Sequence, residues 1–330
     1  MEQSVEYSAV REAGAGLIDL SDRGRIRVSG SEATMFLNGL MTNDLKALAE
    51  NRWMPAAFPT VQGRLIGAVR VARGSKDFLM DGDAASHEAV LKTISRFTLA
   101  GDFRVTDVTA ETGMLSVQGK RAVEVVEKVF ARSFADVARN GVVETEFQGT
   151  PVTIIRATHT AEDGFDLVIE SAQASQLREA LQEAGAQPVS AETFETLRIE
   201  AGIPRYGLDM DETNVVIETN LDDAVSYTKG CYVGQEIIVR IKHRGHVAKK
   251  LVGLEFDTDQ PIETGATVKT DNQEIGRVTS ATFSPTLGKT IALGYVRYEH
   301  IAPGTNVAVD PEISGRVKEL PFVRGSWYQD

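Results

Sequence analysis

The side chains with the most chemical capacity gather in one segment, Lys229-Gly230-Cys231-Tyr232-Val233-Gly234-Gln235-Glu236. Ile237, Ile238 and Ile241 follow, with Arg240, Lys242 and Arg244 among them. Cys231 is the sole cysteine, which excludes an intramolecular disulfide and any zinc site built on paired cysteines. The glycines predict a turn feeding a helix that starts near Gly234, so Cys231 sits just ahead of a helix N-terminus and beside Lys229. Free N–H groups and a cation both favour thiolate over thiol, the setting of a reactive cysteine. The plainer reading is a small buried filler, the common fate of a single cysteine, although flanking glycines and a lysine are unusual in a core strand. Cys231, His243 and His246 supply three metal ligands, but the His pair is closer than zinc sites use. The two histidines therefore read as surface groups of a basic loop, and no metal is expected.

Charge singles out the same segment. From Lys229 to Lys250 six basic residues (Lys229, Arg240, Lys242, Arg244, Lys249, Lys250) stand against one acid, Glu236. The chain of 330 residues carries −12 in total, so everything outside this +5 window carries −17. That acidity excludes a generic DNA binder, which needs cations in excess to neutralise phosphate. A compact basic patch in an acidic chain suits a small polyanion or a carboxylate tail, with RNA a weaker alternative. Gly14-Ala15-Gly16 lacks the third glycine and the preceding strand of a dinucleotide fingerprint, and no P-loop or Gly-x-Ser-x-Gly elbow is present. The start, Met1-Glu-Gln-Ser-Val-Glu, has neither a basic nor an apolar leader region. No apolar run approaches the ~20 residues that span a bilayer, so the expectation is a cytoplasmic protein with no membrane contact.

The elements that must position these groups change in character along the chain. Arg25–Val28 reads as a strand running into Ser29-Gly30-Ser31-Glu32, with capping-box spacing, and a helix through Met35, Phe36, Leu37 and Leu40. Met114–Val117 runs likewise into Gln118-Gly119 and a helix through Val123, Val126 and Val129. Gly30 and Gly119 lie about 90 residues apart, and Phe78 and Phe165, each before a further helix, keep nearly the same offset. Strand–helix–strands–helix, twice, predicts a duplicated split-βαβ module in an α+β region over 1–247, with units of about 1–110 and 111–247. From 248 to 330 short alternating runs (251–256, 266–269, 274–279, 291–296, 307–309), punctuated by Pro261, Gly265, Pro285, Gly288, Pro303 and Gly304, predict a small antiparallel β-barrel. Between the two lies Leu197-Arg198-Ile199-Glu200-Ala201-Gly202 with Tyr206-Gly207, a helix that ends at a glycine. Glu200 in its last turn opposes the helix dipole. A carboxylate that grips paired N–H donors accounts for that position, as does a surface acid paired with Arg198 or Arg205.

The octapeptide at 229–236 resembles the signature of the YgfZ-type folate-binding proteins, relatives of the glycine-cleavage T-protein (aminomethyltransferase). Thr42-Asn43-Asp44, Val61-Gln62-Gly63-Arg64, the Leu-Arg-x-Glu-x-Gly and Tyr-Gly elements, and 276–296 resemble the same family along nearly the whole chain. The resemblance implies a duplicated folate-binding region with tetrahydrofolate or a derivative in a central pocket and a small barrel beside it. It implies Glu200 as the acceptor of the pterin N–H groups, and Arg240, Arg244, Lys249 and Lys250 as partners of the folate's glutamate tail. Arg198, Tyr206, Asn43, Gln235 and Glu236 join the candidate folate contacts. The family's Gly-Gly-x-x-Asp-Asp element falls here on Gly67 and Ala68, neither of which moves a proton. The expectation is therefore an accessory protein for iron–sulfur cluster assembly or repair, with Cys231 reactive, Lys229 its activator, and iron–sulfur client or assembly proteins as partners. The alternatives are a folate-dependent aminomethyl or one-carbon transferase and an RNA-binding or RNA-modification accessory.

Overall fold

The computed structural model describes residues 5–99, 101–271, 273–309 and 313–328. Helix α1 (Val5–Ser8) continues as a π-turn over Ala9–Ala13 and leads into strand β1 (Gly16–Asp19). A first unit follows: β2 (Gly24–Ser29), α2 (Ala33–Leu40), β3 (Arg52–Pro59), β4 (Leu65–Arg73), β5 (Asp77–Gly82), α3 (Ala84–Ser95) and β6 (Arg104–Asp107). A second repeats it: β7 (Thr112–Gln118), α4 (Ala122–Phe130), β8 (Val142–Phe147), β9 (Thr150–Arg156), β10 (Gly164–Glu170), α5 (Ser171–Glu183) and β11 (Gln187–Pro188).

The sheets run β3-β4-β5-β2-β6 and β8-β9-β10-β7-β1-β11. The order is the same in both, except that β1 enters the second sheet between β7 and β11, antiparallel to the former and parallel to the latter. The duplication expected from the sequence is thus the architecture of the region. Gly30 and Gly119 make the same turn, at φ +113° and +131°. A Cβ at these positions would lie 2.1 Å from the Asp102 carbonyl oxygen and 2.7 Å from that of Gly14, so only glycine closes either turn. The capping box expected at Ser29 and Glu32 does not form. Glu32 is itself the N-cap residue, and its carboxylate accepts the Asp102 N–H at 2.8 Å instead.

Side-chain alternation sets the layers. On β4, Val69 and Val71 pack beneath α2 and α3 with Leu37, Val90 and Ile94. Ala72 on β4 and Leu79 on β5 point the other way, onto Met114, Ile155 and Val168 of the second sheet. Phe165, Leu167 and Ile169 of β10 meet Val125, Val126, Leu177 and Leu181 of α4 and α5. The result is helices, sheet, sheet, helices, with a buried interface between the two sheets.

Helix α6 (Ala191–Glu200) begins where the Ser190 hydroxyl accepts the Thr193 N–H. An irregular segment then leads to α7 (Gln235–Arg244), N-capped by Gly234 at φ +77°. The barrel consists of β12 (Lys249–Phe256), β13 (Thr267–Thr270), β14 (Gln273–Ser284), β15 (Lys289–Arg297), β16 (Asn306–Val309) and β17 (Ile313–Lys318), closed in the order β12-β15-β14-β13-β16-β17 with antiparallel pairs. Its sixth strand, β17, carries too few apolar residues to stand out in the sequence, though Val317 fills the interior with Leu254, Phe256 and Val278. The barrel's outer face receives Ile199 of α6 against Leu251, Leu293 and Tyr295. Among the described residues no helix is long and apolar enough to cross a membrane.

Candidate functional site

A cavity of about 700 Å³ opens where the two sheets, α6 and the segment after α6 meet. From β3 and β4 come Trp53, Pro55, Ala68 and Arg70, at the two-residue spacing of one strand face. Helix α6 contributes Ala191, Phe194 and Arg198, one helical face, and the loop after β9 contributes Ala157, Thr158 and His159. Asp83 at the start of α3 and Arg205, Tyr206 and Leu208 after α6 complete the wall. The lining is thus largely apolar and aromatic, with a few fixed polar groups.

Those polar groups are tied together by charge. Arg70 and Asp81 are register partners on β4 and β5, and Arg70 Nε donates to Asp81 Oδ1 at 2.7 Å. Arg70 Nη1 crosses to the second sheet and donates to Asp166 Oδ2 at 2.6 Å. The same Asp166 oxygen meets His159 Nε2 at 2.9 Å. Arg23 binds the free side of Asp81 at 2.8 Å and reaches Asp83 at 2.8 Å. Burial alone would raise the Asp166 carboxyl, but His159 and Arg70 outweigh it and hold the group well below the ordinary aspartate range. Arg70 Nη2 is buried with no hydrogen-bond partner among the described residues, and the Arg70 guanidinium lies 5.6 Å from the centre of the Trp53 ring.

Of the residues expected from the sequence, Arg198 and Tyr206 line this cavity. Arg198 is committed there to Asp209 at 2.6 Å and to the Ser280 hydroxyl of the barrel at 2.9 Å. Burial, with the nearby Glu212 and Asp211, pushes the Tyr206 phenol up, so it stays neutral. Asn43 stands behind the wall, donating to the Pro55 and Asp223 carbonyls at 2.7 and 3.0 Å.

Glu200 does not line the cavity. Its side chain is fully buried on the barrel side of α6, where Oε1 accepts from Tyr7 at 2.7 Å and Ser284 at 2.5 Å. Its Oε2 accepts from Arg11 Nη2 at 2.7 Å and Nε at 3.0 Å. The awkward acid at a helix end is explained by a buried ion pair, with its lone pairs already used.

The basic segment also lies apart from the cavity lining. Lys229 is buried and donates to the Asn38, Met41 and Asn43 carbonyls at 2.7, 2.9 and 2.6 Å, closing the loop after α2. Burial pushes its ammonium down to about 8, and its three protons are directed at carbonyls rather than at Cys231, contrary to the activating role expected. Cys231 is exposed. Gln235 opens α7, and Glu236 and Arg240 pair with each other on its exposed face at 2.8 Å. Lys249 Nζ sits 4.7 Å from the centre of the Tyr295 ring, and Lys250 pairs with Asp222 at 3.0 Å. The Arg244 side chain is outside the described residues. His246 stacks on Tyr298 at 4.3 Å while His243 meets Tyr227 edge-on, and no cluster of three metal-ligating side chains occurs among the described residues.

Sequence reasoning missed His159, Asp166, Arg70, Trp53 and Phe194. A signal was present for two of them: Arg70 and Asp166 are charges inside otherwise apolar strand runs, Ala-Val-Arg-Val-Ala and Gly-Phe-Asp-Leu-Val-Ile.

Known proteins match this arrangement over nearly its full length. Residues 2–229 match the GCVT N-terminal domain and residues 249–324 the glycine cleavage T-protein C-terminal barrel domain. An aminomethyltransferase of Rubrobacter xylanophilus is 33% identical over 97% of this chain and 86% of its own length. One from Exiguobacterium sibiricum is 32% identical over 97% and 89%. The crystal structure of glycine cleavage system aminomethyltransferase T from Bartonella henselae superposes with a TM-score of 0.89, at 25% identity over 97% of this chain and 89% of that one. Two domain matches and relatives of this identity along both domains lead to one statement: the chain belongs to the glycine-cleavage T-protein family.

Proposed function

We propose that this protein is a folate-dependent one-carbon transferase of the aminomethyltransferase type, with a tetrahydrofolate derivative held in the cavity between the two sheets. The observation that carries this reading is the cavity itself. At about 700 Å³ it falls in the range of small-molecule sites, and its mix of aromatic faces with few polar groups is typical of them. Trp53, Phe194 and Tyr206 offer flat surfaces to a pterin, and Thr158 offers a hydroxyl to its edge. An acceptor on the occupant would satisfy the buried Nη2 of Arg70. A bound tetrahydrofolate supplies a nucleophilic ring nitrogen as one-carbon acceptor.

The names of the relatives favour this alternative over the iron–sulfur accessory function expected from the octapeptide. That function asked Lys229 to activate Cys231, and the lysine is spent on three backbone carbonyls. The RNA reading is weakened because Arg240 and Lys250 are already paired with Glu236 and Asp222. Two observations favour the YgfZ-type assignment as a second reading. Ala68 lines the cavity where the family element would offer a carboxylate, and Cys231 is exposed to a partner. The deciding experiment supplies the purified protein with tetrahydrofolate and an aminomethyl-loaded lipoyl carrier. Formation of methylenetetrahydrofolate is expected; folate binding without turnover would support the second reading, and no binding would refute both.

A further inference from the structure

His159, at the end of the ionic chain through Arg70 and Asp166, has no part in the roles above. It stands on the loop between β9 and β10 and is the one imidazole among the described residues of the cavity wall. Its Nε2 lies 2.9 Å from Asp166 Oδ2, the oxygen that also accepts from Arg70 Nη1 at 2.6 Å. Asp166 is wholly buried and ionised, so it only accepts. Nε2 must therefore carry hydrogen in the neutral ring as well as in the imidazolium. The proton that comes and goes is on Nδ1, which has no hydrogen-bond partner among the described residues. Phe194 of α6 packs edge-on against the ring, with 6.3 Å between centroids.

The charged groups on the other walls are committed to one another. Arg23 serves Asp81 and Asp83, Arg198 serves Glu195 and Asp209, Arg205 serves Glu195, and Asp19 serves Arg178. Asp22 is exposed at the rim.

We propose that His159 is the proton-exchanging residue of the cavity, with Asp166 and Arg70 as its positioning residues. It supplies from the β9–β10 loop what position 68 of β4, an alanine, does not. The proposal rests on the folate reading above. A ligand amine that forms a bond to carbon gives its N–H proton to Nδ1, and the electron pair of that N–H bond stays on nitrogen. As the bond between the carbon and the departing group breaks, the imidazolium returns the proton to that group, so no oxidant or reductant is consumed.

The test combines ¹⁵N NMR of the wild-type imidazole, with and without tetrahydrofolate, and calorimetric binding to wild type and His159→Gln. A glutamine amide can keep the hydrogen bond to Asp166 but has no titrating lone pair. We expect the ligand to shift the Nδ1 resonance. The affinity of H159Q should depend less on pH than that of wild type. Binding with an unmoved Nδ1 resonance and the same profile in both proteins would overturn the proposal alone. No binding by wild type would overturn the folate reading and the proposal with it. The NMR arm needs no variant, so misfolding of H159Q cannot decide the outcome.

Discussion

Replacing Glu200 by alanine separates a structural carboxylate from a ligand-gripping one. Glu200 is fully buried and accepts four hydrogen bonds, from Tyr7, Ser284 and twice from Arg11. Without it the Arg11 guanidinium, itself 7% exposed, keeps only Glu162 at 3.2 Å as an ionic partner among the described residues. Removing one member of a buried ion pair costs about 3–5 kcal/mol, because the other charge stays out of water. At about 2–4 °C per kcal/mol for a folding unit of this size, the melting temperature should fall by about 6–20 °C. Glu200→Gln keeps an acceptor for Tyr7 and Ser284 and should lose less. The assay is thermal unfolding by circular dichroism, paired with tetrahydrofolate titration well below the transition. Affinity should stay within about twofold, as for a site without shared partners. An unchanged melting temperature with a loss of affinity of about tenfold or more would refute the reasoning and return Glu200 to the ligand.

Two further outcomes follow from the same contacts. Cys231→Ala should leave folate affinity within about twofold, since the thiol is exposed and away from the cavity; calorimetry checks this. Asp166 is held below its ordinary value of 3.8, so the folded state takes up its proton later than the unfolded chain as pH falls. Its stabilising contribution is complete above about pH 4 and is lost progressively below it; urea unfolding at several pH values should show a weaker acid dependence in Asp166→Asn.

Some of this was legible before the structure and some was not, for identifiable reasons. Gly30 and Gly119 carried the duplication, because a positive φ against a neighbouring backbone allows no other residue and leaves the same mark in both units. Strand β1 left no such mark: a four-residue strand gains its place only by pairing with β7 and β11, which are distant in sequence. On α6 the motif located the helix but not the direction of its side chains. Arg198 and Glu200 are two residues apart, about 200° around a helix of 3.6 residues per turn, so they face opposite sides. One meets the cavity and the other Arg11 and the barrel. Lys229 misled in a similar way, since nothing local reveals that its ammonium closes a loop about 190 residues upstream. The charges inside apolar strands, Arg70, Asp81 and Asp166, acquired meaning only when the sheets met face to face.

The central claim is that the cavity between the sheets is the folate site, and Ala68 tests it most directly because its side chain faces that space from β4. Tetrahydrofolate titrated into wild type and Ala68→Trp should bind one per chain in the first. In the second, affinity should fall at least about tenfold, with the circular dichroism spectrum unchanged. No binding by wild type, or equal affinity in a folded Ala68→Trp protein, would contradict it.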